Sequence, residues 1–76
     1  MKEYHIEVNK DTVDEVCQLF EKLGYRAYGV KDSMPRSALA FKSGHYDTYR
    51  CSYAVLDTTK SKHLTLPELR KLATNQ

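Results

Sequence analysis

Tryptophan is absent from this chain, phenylalanine, cysteine, methionine and proline occur twice each, and glycine three times. Two cysteines, Cys17 and Cys51, are too few for the disulfide framework of a small secreted domain. Both fall on apolar faces of predicted elements, so they are expected as buried thiols of the core. No CxxC, HxxH or CxH pair joins them to His5, His45 or His63, and no metal or cofactor is expected. A P-loop, a GxSxG elbow and a dinucleotide fingerprint are all missing, and the carboxylates are not paired in a way that would push two pKa values apart. The chain is therefore expected not to be an enzyme. No apolar run is long enough to span a bilayer, and MKEYHIEV lacks the apolar core of a signal peptide, so a cytoplasmic address and no membrane partner are expected.

What is present is ordinary globular material. Hydrophobic residues make up 41% and charged residues 29% of the 76 positions, with no repeat or low-complexity run. Residues 1–76 are expected to form a single small α+β domain with a thin core, because a chain this short buries little more than about 60% of the surface its unfolded form exposes.

The best-defined stretch is DTVDEVCQLFEKLGY, from Asp11 to Tyr25. Val13, Val16, Cys17, Phe20 and Leu23 recur at helical spacing, Leu19 widens the stripe, and Asp14, Glu15, Gln18, Glu21 and Lys22 form a wet, largely acidic face. Asp11 is the expected N-cap. Gly24 suits the left-handed residue past the end, which lets Tyr25 fold back on Phe20 in a Schellman close.

Ahead of this helix, Tyr4, Ile6 and Val8 alternate with His5 and Glu7, the pattern of a half-buried strand with His5 on its outward side. After it, Tyr25 to Val30 suits a short strand and Lys31 to Ser37 a loop containing Met34-Pro35. Leu39 and Phe41 then alternate with Ala38 and Ala40, and Ser43-Gly44 marks a hairpin turn. The return arm, His45 to Asp57, places Tyr49, Cys51, Tyr53 and Val55 on one face, expected inward, with a break anticipated around Asp47 to Arg50. Past the polar connector DTTKSK, Thr65 and Glu68 form a capping box. Leu64 and Leu69 form a hydrophobic staple, and Leu66, Leu69 and Leu72 form an apolar stripe.

This order predicts an α+β fold: one long amphipathic helix packed on a three- to four-stranded antiparallel sheet, with a short C-terminal helix. A sheet covered on one side leaves the other for binding. His5, Glu7 and members of the Thr48, Arg50 and Ser52 set are expected there, on a flat surface better suited to a macromolecule than to a small substrate.

Charge is split along the chain: residues 1–24 carry three Lys or Arg against six Asp or Glu, and residues 25–76 nine against four. Basic residues of the second part are interleaved with tyrosines, so Arg26, Tyr28, Lys31, Arg36, Lys42, Tyr46 and Arg50 are the candidate partner-binding residues. Tyr49 and Tyr53 are assigned to the core. Cations neutralise phosphates and exposed rings stack on bases, which makes nucleic acid the alternative partner.

Leu23-Gly24-Tyr25 closing the helix, the strands from Leu39 to Leu56 and Thr65-Leu66-Pro67-Glu68-Leu69 near the end together resemble small phage-encoded accessory proteins. The resemblance implies a host-takeover or anti-defence setting, in which such a protein binds and inhibits or modulates a host enzyme or defence complex. A host protein is the partner it implies, with a homodimer left open. A fainter resemblance is to the HicA-type toxin RNases, through Lys42-Ser43-Gly44-His45 and the C-terminal leucine helix. It would make His45 the catalytic residue.

Overall fold

The computed structural model describes residues 3–29, 34–52 and 61–75, with strands β1 (Tyr4–Glu7), β2 (Arg26–Ala27), β3 (Ser37–Ser43), β4 (Tyr46–Ser52) and β5 (Lys62–His63), and helices α1 (Val13–Lys22) and α2 (Leu66–Thr74). The strands form one sheet in the order β2-β4-β3-β1-β5. Its three inner strands are antiparallel neighbours, whereas β2 runs parallel to β4 and β5 parallel to β1. The expectation of one long helix on a three- to four-stranded antiparallel sheet is thus overturned. The sheet is five-stranded and mixed, and the helices, at 10 and 9 residues, are nearly equal. Both edge strands are two residues long, too short to carry a readable alternation, which is why the parallel edges escape a periodicity argument.

The first helix is shorter than expected because of Asn9. Its Oδ1 accepts the backbone N–H groups of Asp11 at 2.8 Å and Thr12 at 3.1 Å, while Thr12 Oγ1 accepts the Asn9 N–H at 3.0 Å. This reciprocal pair does the work of a cap around a turn that precedes Val13, and Asp11 is not the N-cap. The far end closes as the glycine demands. Gly24 has φ of 103°, its N–H bonds to the Glu21 carbonyl, and the Tyr25 N–H reaches back to the Phe20 carbonyl at 3.0 Å. The Tyr25 and Phe20 rings then meet edge to face at 5.6 Å, which completes a Schellman close with its apolar contact. Burial pushes the Tyr25 phenol up to about 12, so it stays protonated.

The second helix starts as its sequence dictates. Thr65 Oγ1 accepts the Glu68 N–H, and Glu68 Oε1 accepts the Thr65 N–H at 3.0 Å. Leu64 and Leu69, the staple pair, are both buried. The helix packs on α1, where Arg70 grips Glu15 through two bonds, Nε to Oε2 at 2.5 Å and Nη2 to Oε1 at 2.9 Å. Both partners of this pair are exposed, so it orients the helices more than it stabilises them.

The core lies between the helices and one face of the sheet. Val16, Phe20, Leu64 and Leu69 are its largest fully buried side chains, and Ile6, Ala38, Ala40, Tyr49 and Cys51 come up from the strands. Ala38 and Ala40 have no exposed surface: α1 lies close over β3, and only small side chains fit beneath it. The hairpin register is unbroken from Ser37↔Ser52 to Ser43↔Tyr46, so no break falls within Asp47 to Arg50. Gly44, at φ of 62°, begins the two-residue turn, where a residue with a Cβ would be strained. Tyr53 and Val55, expected inward, lie outside the described residues.

Candidate binding face

Strand alternation fixes what the other face of the sheet carries. Where Ile6, Ala38, Ala40, Tyr49 and Cys51 point to the helices, His5, Glu7, Leu39, Phe41, Thr48 and Arg50 point away. The register sets them in rows: His63, His5, Leu39 and Arg50 across four strands, and Phe41, Thr48 and Arg26 in the next.

Aromatic rings and guanidinium groups gather at one side of this face. Tyr28, just past β2, is held by its N–H on the Tyr49 carbonyl at 2.8 Å and meets the Phe41 ring edge to face at 5.3 Å. The Arg26 guanidinium carbon lies 5.2 Å from the centre of the Tyr46 ring, within cation–π range. Tyr28 and Tyr46 remain 50% and 58% exposed, among the few large apolar side chains left in solvent. Thr48, buried beneath this group, donates its hydroxyl to the Phe41 carbonyl at 3.1 Å.

At the opposite edge, His5 and His63 pair across β1 and β5 with ring centres 5.0 Å apart, and His5 Nδ1 shares a hydrogen bond with the Ser61 hydroxyl at 2.8 Å. Burial lowers the His5 pKa below its ordinary value, and the neighbouring His63 lowers it further. The imidazole is kept neutral there.

Of the candidate residues, the fold brings together Arg26, Tyr28, Tyr46 and Arg50. Lys42 is exposed but shares the alternation of Ala38 and Ala40, which puts it on the helix side. Arg36 is exposed just ahead of β3, its backbone spent on Val8 and Ser52, and Lys31 lies outside the described residues. His45 occupies the second position of the hairpin turn, exposed. Tyr49 is buried, as assigned: its ring lies 5.8 Å from that of Phe20, and burial, with Cys17 nearby and a hydrogen bond that its hydroxyl donates to the Glu21 carboxylate, raises its pKa.

His5 lies on the outer face as expected, whereas Leu39, Phe41 and His63 are surface residues that the sequence reading does not place there. The signal lies in the turn: with Gly44-His45 as the two-residue turn, Leu39 falls opposite Arg50 and must share its face. Among the described residues, no three His, Cys, Asp or Glu side chains converge as a metal would require, and no helix is long and apolar enough to cross a membrane.

Fold and face together define a small α+β domain whose two helices back a mixed sheet with an aromatic, arginine-bearing outer surface. No protein family, curated protein or solved structure matches this chain.

Proposed function

We propose that this is a non-catalytic binding protein of the phage accessory kind, which lays the outer face of its sheet on a host enzyme or defence complex and thereby inhibits or modulates it. The observation that carries the reading is the grouping of Tyr28, Tyr46, Arg26 and Arg50 beside Phe41 and Leu39 on a face that no described helix covers. Tyrosine and arginine are the residues that most often anchor protein interfaces, around an apolar centre such as Leu39 and Phe41 supply. Two guanidinium groups also call for carboxylates on the partner, and their flat setting suits a surface better than a small molecule.

Single-stranded nucleic acid is the second reading, favoured by the exposed Tyr28 and Tyr46 rings beside those same arginines. It ranks lower on charge: Arg26 and Arg50 neutralise few phosphates, whereas tight backbone binding uses roughly 6–10 contacts.

The two readings separate in one experiment. Tagged protein is used to capture partners from bacterial lysate, with and without nuclease, alongside Arg50→Glu, Tyr28→Ala and Lys42→Glu. The protein reading expects a stoichiometric partner that survives nuclease, weakens about 10-fold or more with Arg50→Glu or Tyr28→Ala, and is indifferent to Lys42→Glu. Loss of all partners with nuclease, together with an affinity that falls steeply with salt, transfers the function to nucleic acid. Equal loss with Lys42→Glu removes the outer face from consideration.

A further inference from the structure

Cys17, in the middle of α1, and Cys51, near the end of β4, bring their sulfurs to 3.4 Å. Both are reduced thiols. A disulfide bond is about 2.05 Å long, so closing the gap needs each sulfur to move by roughly 0.7 Å, within reach of a small side-chain rotation. The two differ in access: Cys51 is buried and Cys17 half-buried. Both line a cleft of about 210 Å³ at the β2 side of the sheet, with Ala27, Tyr28, Tyr49 and Arg50.

We propose that Cys17 and Cys51 form a thiol pair that is oxidised through this cleft by a low-molecular-weight disulfide of the glutathione type, which clamps α1 to β4. Cys17 is the entry point. Having lost its proton to solvent, its thiolate attacks one sulfur of the small disulfide, forms a mixed disulfide and expels one small thiolate, which takes up a proton. Cys51, deprotonated in turn, attacks the Cys17 sulfur and expels the second small thiol, leaving a Cys17–Cys51 bond. Two protein thiols are oxidised and one small disulfide is reduced to two thiols, with protons conserved overall. The bond joins residues 34 positions apart, a loop long enough for the cross-link to restrict the unfolded chain strongly.

The test equilibrates the full chain in mixtures of reduced and oxidised glutathione, blocks residual thiols, and reads intact mass, cross-linked peptides and melting temperature. The expected result is a monomer in which both thiols vanish together, a single Cys17–Cys51 peptide pair, and a Tm raised by about 10 °C or more that returns on reduction. Cys51→Ala should trap glutathione on Cys17, whereas Cys17→Ala should leave Cys51 unmodified until the protein is unfolded. Cross-links only between molecules, glutathione accumulating on wild-type Cys17 without closure, or thiols that react only in denaturant would each overturn the proposal. Should either alanine variant fail to fold, the wild-type mass and peptide readout decides alone.

Discussion

The two faces of the sheet are built from opposite halves of the same strand. In β3 the apolar side chains turned toward the helices are Ala38 and Ala40, and those turned away are Leu39 and Phe41. The small residues are fully buried and the large ones half-buried, the reverse of what a simple burial of bulk would give. The helix side reaches its density from above, with Phe20 and Val16 of α1 filling the space that two alanines leave. The outer side has no described helix to supply that filling, and Phe41 is banked against Tyr28 instead, while Arg26 covers the Tyr46 ring. On the proposed reading, a strand that spends its apolar bulk on the side facing away from its helices offers that side to a partner.

The sharpest test deletes the same ring on each side. Phe20→Ala should cost about 3–5 kcal/mol and bring a domain of this size close to unfolding, whereas Phe41→Ala, half-exposed, should cost only about 1 kcal/mol. Urea midpoints measure both. An equal cost would mean that the outer face is a second core and not a docking surface. Next in size is overfilling: Ala40→Leu should destabilise by about 1–3 kcal/mol because α1 cannot retreat, and Leu39→Ala should cost less.

Acidity probes the outer face from its other edge. The neutral His5 has a pKa below its ordinary value, so as pH falls the unfolded chain takes up the proton first. Its contribution to stability is complete above the unfolded value, about 6.5, and is lost as pH falls through the lower folded one. Glu15, held down by its bond from Arg70, and Glu68, held down by the Thr65 N–H, lose theirs only on further acidification. The urea midpoint should therefore drop between about pH 7 and pH 5, and His5→Gln should flatten that drop. Smallest of all is the effect of Arg50→Glu on the fold, within about 0.5 kcal/mol, although the same change is expected to weaken partner binding about 10-fold or more.

Much of this was written in the sequence where several signals converge. The Schellman close at Gly24, the Thr65–Glu68 box and the inward setting of Tyr49 and Cys51 follow from residue type and spacing alone. The start of α1 differs from expectation because Asp11 looks like a cap by residue type, whereas the Asn9–Thr12 turn, closed by reciprocal bonds, moves the N-cap position to Thr12. The parallel edges were illegible for a different reason: Arg26–Ala27 and Lys62–His63 are placed by what the rest of the chain offers them, and two residues hold no period. For the candidate binding face, the tyrosines and arginines are visible as composition. Their division between two sides, with Lys42 behind and Arg50 in front, needed the hairpin register.

The brevity of β2 and β5 also limits how anything can attach to this molecule. Each edge strand offers a template only two residues long, too short for an incoming chain to add a strand of its own by backbone pairing. Growth of the sheet from either rim is thereby discouraged, in self-association as much as in recognition. Under the proposed function, a partner would therefore have to read side chains, and a single substitution could redirect its choice.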